Sequence, residues 1–166
     1  MPLYFLESSR LYLRLFQESD VQDLFRTEGN PDVMAFIRTP VTDPSRSLDR
    51  IKQEALYTAE NKGLGLFACF EKNTNHYLGL VKLKHIENTE AIEIGYAFLP
   101  EAWGKGYATE ITKNLIEYLQ QNFTGRSIVA FIHPDNFNSR RVLEKAGMTE
   151  TTTIYEGHEN AAVFEL

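Results

Sequence analysis

The sequence predicts one α/β (α+β) domain over residues 1–166, a mixed sheet of seven strands flanked by helices. Three observations predict it. A chain of 166 residues suits a single domain with a sizeable core. Seven short apolar or alternating stretches read as strands, interrupted by segments with helical spacing. Gly, Pro and Asn turn signals separate them, and no repeat, linker or low-complexity tract divides the chain. The resulting order, βααβββαβαββ, mixes hairpins with strand–helix–strand units, as a mixed sheet requires.

Each element follows from local pattern. Residues 10–16 alternate, with Leu11, Leu13 and Leu15 on one face and Tyr12 and Arg14 on the other, so they form a half-buried strand. Ser19 or Asp20 caps a short helix with Val21, Leu24 and Phe25 inward. Gly29-Asn30-Pro31 breaks it, and Pro31 opens a turn that buries Val33, Met34 and Ile37. Asp43-Pro44 repeats the cap-and-proline signal for a helix to Glu60, burying Leu48, Ile51, Ala55 and Ala59 and ending at Gly63. Residues 64–70 and 77–84 are strands of a hairpin turning through Asn73-Thr74-Asn75, since Asn tolerates left-handed geometry. Gly79 marks a bulge or a close packing contact. Residues 91–99 form the next strand. Residues 106–123 form the strongest helix, striped by Ala108, Ile111, Leu115 and Leu119. A short strand at 127–132 stops at Pro134. Asp135 or Asn136 then caps a helix through Ala146, with Val142 and Leu143 inward and Gly147 as its stop. Residues 149–155 and 161–166 make a final hairpin around Glu156-Gly157-His158.

Composition narrows the function. Seventeen basic and 23 acidic residues leave a formal charge of −6, which argues against a nucleic-acid binder relying on general electrostatics. One cysteine, Cys69, excludes an internal disulfide and fits a reducing, cytoplasmic compartment. Residues 1–6 are apolar without a preceding basic region, so no signal peptide is expected. The longest apolar run, 64–70, is far too short to span a membrane. These features suit a monomer or small homo-oligomer with neither nucleic acid nor membrane as partner.

The stretch Tyr96-Ala97-Phe98-Leu99-Pro100-Glu101-Ala102-Trp103-Gly104-Lys105-Gly106-Tyr107-Ala108-Thr109 reads as strand end, glycine loop and helix start. Gly104 and Gly106 permit positive φ and close approach of another group to the backbone. The helix start offers unpaired N–H groups and the positive end of a dipole, the makings of a phosphate or pyrophosphate site. The alternative is a strand-to-helix turn that simply needs small residues. A P-loop would need Lys-Ser or Lys-Thr after its last glycine, where Tyr107 stands. A dinucleotide fingerprint would need a small residue at Thr109 and an acidic residue about 20 positions on.

The segment Trp103-Gly104-Lys105-Gly106-Tyr107-Ala108-Thr109 resembles the coenzyme-A pyrophosphate loop of the GNAT N-acetyltransferases. The fit is closest to the branch containing the ribosomal-protein N-terminal acetyltransferases (RimJ/RimL-like). Leu11-Tyr12-Leu13-Arg14-Leu15, Pro31-Asp32-Val33-Met34, Glu93-Ile94-Gly95-Tyr96 and Asn136-x-x-Ser139-x-Arg141-Val142-Leu143-Glu144-Lys145-x-Gly147-Met148 extend the resemblance over nearly the whole chain. It implies a mostly antiparallel sheet that splays at its central strands and acetyl-CoA as co-substrate. It also implies backbone contacts to the pyrophosphate from Gly104, Lys105, Gly106, Tyr107, Ala108 and Thr109, beside Trp103. The thioester arm would lie along Tyr96, Ala97, Phe98 and Leu99, with Asn136 and Arg141 further cofactor contacts. Trp103 replaces the Gln or Arg common in the superfamily, which removes a side-chain hydrogen bond and leaves the amides untouched.

Glu93 stands in an apolar strand, where an unpaired carboxylate is costly, so it faces solvent, is paired, or is functional. The resemblance implies that it draws the amine's proton through water. Asn136 is a good cap by itself. By resemblance Ser139 lies near the sulfur, but the tyrosine acid often found four residues later is Leu143 here. Protonation of the leaving group then falls to Ser139, to water, or is dispensed with, since a thiol of pKa ≈ 8.5 departs easily as thiolate. Arg140 and Arg141 face phosphate or solvent. His76, His85, His133 and His158 lack metal-site spacing, and no nucleophile elbow exists. The expected function is acetyl-CoA-dependent transfer of an acetyl group to a primary amine by direct attack in a ternary complex, with a protein or peptide N-terminal α-amine as acceptor. A small amine such as an antibiotic, polyamine or amino acid is the alternative. So is a non-catalytic acyl-CoA-binding domain, or a structural domain whose glycines only make a turn. The acceptor site is expected from residues 33–43 and 156–160.

Overall fold

A computed structural model of the protein describes residues 4–166. The expectation about residues 1–6 therefore lies partly outside the described residues. Eight strands form one sheet: β1 (Leu6–Glu7), β2 (Leu11–Leu15), β3 (Gly65–Glu71), β4 (Tyr77–His85), β5 (Ile92–Phe98), β6 (Ile128–Ile132), β7 (Thr149–Thr151) and β8 (Ala162–Glu165). Five helices accompany them: α1 (Val21–Glu28), α2 (Pro31–Met34), α3 (Pro44–Glu60), α4 (Tyr107–Asn122) and α5 (Phe137–Lys145). The spatial order is β1-β2-β3-β4-β5-β6-β8-β7, and every neighbouring pair is antiparallel except β5 with β6.

Seven strands were expected and eight are present among the described residues. The extra one, β1, pairs Leu6 with Leu13 and Glu7 with Tyr12. Two residues are too few to show a period in sequence; only the neighbouring strand makes them a strand. The last hairpin is shorter than expected because residues 152–155 leave the ladder.

The two sheet faces carry separate cores. Leu13, Phe67, Val81, Ile92 and Ile94 pack against Ile111 and Leu115 of α4 and Leu143 of α5. On the opposite face Tyr12, Leu66, Leu80, Ala97 and Leu99 pack against Leu24, Val33, Met34 and Ile51 of α1–α3. Each fully buried side chain of this kind contributes roughly 1.5–3 kcal/mol. The α3 stripe departs from expectation. Ala55 and Ala59 are exposed and Leu48 is half-buried, whereas Ser47, Ile51 and Glu54 face inward. Polar partners decide this: Glu54 accepts a hydrogen bond from Lys84 on β4 at 2.7 Å, and Ser47 donates to buried Glu28 at 3.0 Å. Ile37, expected inside, is 53% exposed. Asp20 sits at the N-cap of α1, yet its carboxylate turns to Arg14 and the Gln17 N–H instead of capping.

Gly79 proves to be both: the β3–β4 register shifts beside it, between Cys69 and Phe70, and it makes a close contact with β5. A Cβ there would meet the Ala97 carbonyl oxygen at 2.2 Å, so β4 and β5 approach as they do only because position 79 has no side chain.

Candidate active site

The site begins where β5 loses its partner. Parallel pairing joins Ile92 to Ile128 and Glu93 to Val129 and goes no further, while β6 stays paired with β8 on its other side through Ile132. Residues 94–98 continue alone on that side. Ile92 donates its N–H to Ser127 on the β6 side, and Leu99 donates to Leu78 on the β4 side. Period-two alternation therefore directs the N–H groups of Tyr96 and Phe98 toward the gap. A cleft of about 1020 Å³ opens there, lined from both faces of β5 and reaching the start of α4.

Gly104 (φ +73°) and Gly106 (φ +79°) both take the left-handed conformation that favours glycine, and Gly106 is the N-cap of α4. A Cβ on Gly104 would meet no protein atom within 4 Å, and one on Gly106 would meet only the Arg10 guanidinium at 3.5 Å. These positions border open cleft, a cradle that side chains would fill. The helix's first bond runs from the Glu110 N–H to the Gly106 carbonyl at 3.1 Å, so the amides of Tyr107, Ala108 and Thr109 precede the ladder. The residues thus fit a pyrophosphate.

The turn is clamped from outside. Arg10 donates Nη1–H to the Lys105 carbonyl at 2.9 Å and Nε–H to Glu110 at 2.7 Å, and its guanidinium lies over the Tyr107 ring. Ser8 and the Arg10 N–H also donate to Glu110, each at 2.7 Å. Burial pushes the Glu110 carboxyl upward, but these donors outweigh it and hold it below the usual range. Tyr107 donates its hydroxyl to Glu71 at 2.5 Å, which anchors its side chain in the fold. The Trp103 indole donates to the Phe98 carbonyl at 2.8 Å, joining loop to strand in place of the hydrogen bond this position otherwise lacks.

Most sequence-expected site residues converge on the cleft: Glu93, Tyr96, Ala97 and Phe98 from β5; Trp103, Gly104, Gly106, Tyr107, Ala108 and Thr109 from the loop and α4; Asn136, Ser139 and Arg141 from α5. Leu99 and Lys105 are outside its lining. Leu99 is buried in the α1–α3 core just past the end of β5, and the Lys105 carbonyl is held by Arg10. Arg140 pairs with Glu150 and stacks over Phe164, so of these two adjacent arginines it is Arg141 that lines the cleft.

Glu93 is ion-paired with Lys82 of β4, and its side chain is only 14% exposed. On the opposite face of β5, the Tyr96 hydroxyl donates to Ser139 Oγ at 3.2 Å. Asn136 caps α5 by accepting the Ser139 N–H at 3.2 Å. The far end of the cleft is walled by residues 32–38 and by Arg50. There Glu28, 1% exposed, accepts from Arg38, Arg50 and Ser47 and so ties α1 to α3. Phe36 reaches across to His133, with ring centroids 5.2 Å apart. Residues 156–160 do not line this cleft. Among the described residues, no three His, Cys, Asp or Glu side chains are grouped to hold a metal.

Sequence reasoning missed Lys82, Arg10 and Glu28. Lys82 and Lys84 in an apolar strand carry the same signal that singled out Glu93. Arg10 and Glu28 gave none, since their partners lie up to 100 residues away.

The family model for the acetyltransferase (GNAT) domain matches residues 10–149. The uncharacterized protein YkkB of Bacillus subtilis (strain 168) is 31% identical over 163 residues, 96% of this chain and 94% of its own. The uncharacterized N-acetyltransferase p20 of Bacillus licheniformis is 31% identical over 141 residues, 83% of this chain and 78% of its own. The fold also matches that of RimL, the ribosomal L7/L12 alpha-N-protein acetyltransferase solved with coenzyme A, at 19% identity and a TM-score of 0.82 over 99% of this chain and 97% of that one. The chain therefore belongs to the GNAT acetyltransferase family, whose members use acetyl-CoA as co-substrate.

Proposed function

We propose that the enzyme acetylates a protein or peptide N-terminal α-amine by direct attack in a ternary complex. The observation that carries this is the single cleft, which joins the glycine cradle at one end to Glu93 and the Phe36–Arg38 wall at the other. Two substrates can occupy one continuous space, so no covalent acetyl-enzyme is needed, and orientation supplies much of the rate. Bound acetyl-CoA supplies an activated acyl group with a thiol leaving group. Amides from Gly104 to Thr109 hold the pyrophosphate, and Arg141 and Asn136 border the same channel. The free N–H groups of Tyr96 and Phe98 polarise the thioester carbonyl. Glu93 takes the amine's proton, directly or through water, from the face opposite Ser139. Lys82 engages one carboxylate oxygen, Oε1, leaving Oε2 for this purpose.

The preference for an α-amine is chemical. Its pKa of about 7.7–8.0 leaves roughly a tenth of it neutral at pH 7, against fewer than about one in a thousand lysine side chains. A site with one carboxylate that is already shared with a lysine suits the easier amine. The name of RimL, an alpha-N-protein acetyltransferase of the same fold, supports the same reading. The test is competition between a peptide with a free N-terminus and the same peptide N-blocked but carrying lysine. Acetylation of the free N-terminus is expected; preferential acetylation of the blocked peptide would overturn the α-amine assignment.

A further inference from the structure

The acid position that Leu143 leaves without a hydroxyl has a phenol close by. Leu143 is 1% exposed and belongs to the core under α5, so it serves packing. One turn earlier on the same helix, Ser139 lines the cleft and receives the hydroxyl hydrogen bond of Tyr96 from β5 at 3.2 Å. We infer that Tyr96 is a positioning residue that acts through Ser139, feeding the proton which Ser139 passes to the departing sulfur. This rests on the reading of Ser139 as the group at the sulfur.

The direction of the hydrogen bond matters. Tyr96 donates and Ser139 accepts, so the serine's own hydrogen is released to point into the cleft. An isolated serine is a poor acid, because giving up its proton leaves an alkoxide. A serine that receives a phenol's proton as it gives its own never becomes an alkoxide. The charge that remains sits on a phenolate, a far weaker base than an alkoxide. Burial pushes the Tyr96 hydroxyl above that ordinary value, so it is protonated throughout the neutral range. Among the described residues its side-chain hydrogen-bond partner is Ser139, and no carboxylate or ammonium competes for it.

The placement also separates the two proton transfers. Glu93 and Tyr96 are an odd number of residues apart on one strand and so project to opposite faces of β5, yet both line the same cleft. The proton budget closes without any further reactant. The amine nitrogen forms the C–N bond and loses one proton toward Glu93. The C–S bond breaks, its electron pair stays on sulfur, and sulfur takes the Ser139 proton while Tyr96 replaces it. Solvent carries the Glu93 proton back to the phenolate.

The decisive variants are Tyr96→Phe, Ser139→Ala and their combination. Phenylalanine keeps the ring contact with Phe98, whose centroid is 5.8 Å away, and alanine keeps the backbone N–H that Asn136 caps. Tyr96→Phe is expected to lower kcat about 10- to 100-fold while leaving KM for the acceptor and the affinity for coenzyme A within about twofold. The double variant is expected to be no slower than Ser139→Ala alone, since the two hydroxyls act as one path. A readout independent of turnover is the thiolate absorbance of bound coenzyme A. Its thiol is expected to titrate about one unit higher in either single variant than in the native enzyme, the tenfold equivalent of a lost charge-assisted hydrogen bond. Full kcat in Tyr96→Phe, multiplicative losses in the double variant, or an unmoved thiol titration would each overturn the inference. Native enzyme that shows the thiol shift but acetylates no peptide would instead defeat the proposed acceptor and leave this inference standing.

Discussion

Glu93 shows how one residue's surroundings choose between roles that its position leaves open. In a strand of Ile92, Ile94 and Ala97 a carboxylate needs a partner, and Lys82 on the neighbouring strand is that partner. The same carboxylate borders the cleft, so pairing and function coexist. Glu93→Gln keeps the shape and removes the basic oxygen. It is expected to reduce kcat/KM about 10- to 100-fold at pH 7, with partial recovery as pH rises and the acceptor deprotonates itself. A rate equal to the native enzyme's across pH 6–8 would make Glu93 purely structural. Ser139→Ala and Tyr96→Phe belong to the same scale but concern the other face of the strand, so their effects are expected to add to that of Glu93→Gln.

At the scale of the element, the unit from β5 to α4 combines an unpaired strand end, a left-handed turn and a helix N-terminus. Gly106 at φ +79° cannot take a β-branched side chain without strain, although its Cβ would meet only the Arg10 guanidinium, at an ordinary 3.5 Å. Gly106→Val is therefore expected to shift or fill the cradle while the core of α4, from Ile111 onward, stays packed. Calorimetric titration with coenzyme A should show binding lost, and circular dichroism should show the native helix content. Undiminished affinity in the folded variant would refute the assignment of the phosphate cradle to this turn.

At the scale of the molecule, the cradle is held by contacts distant in sequence. Glu110, in the first turn of α4, gathers Ser8 and Arg10 from the segment between β1 and β2. Asp20 similarly gathers Arg14 and the Gln17 N–H; burial raises its carboxyl, and these donors lower it further. Both carboxyls titrate below their unfolded values. The stability they contribute is thus complete above the ordinary carboxylate pKa of about 4 and is lost as pH falls through the lower folded values. Thermal unfolding should show a steep loss of Tm below about pH 4, and Glu110→Gln should flatten that limb. At neutral pH the substitution is expected to cost about 1–3 kcal/mol, because Arg10 is partly exposed and its contact is screened. It should also weaken coenzyme A binding, since the Arg10 clamp on Lys105 is loosened. An unchanged acid limb in Glu110→Gln would show that the clamp carries no stability.

What the sequence by itself determined is whatever depends on neighbours along the chain. Alternation along residues 91–99 separates Ile92, Ile94 and Phe98 from Ala97 and Leu99, and the structure sorts these into the two cores in that way. Gly104 and Gly106 foretold a left-handed turn, and Asn136 a capped helix, because both are local backbone requirements. The two-residue β1, the polar inner stripe of α3 and the exposure of Ile37 were not legible. They are decided by partners remote in sequence: Leu13 for Leu6, Glu28 for Ser47, and the cleft for Ile37. Only the tertiary structure ended the β5–β6 ladder after two residue pairs, set Lys82 on Glu93 and aimed Tyr96 at Ser139. A hydrogen bond between residues 43 positions apart depends on where the sheet opens, and no periodicity in the chain encodes that.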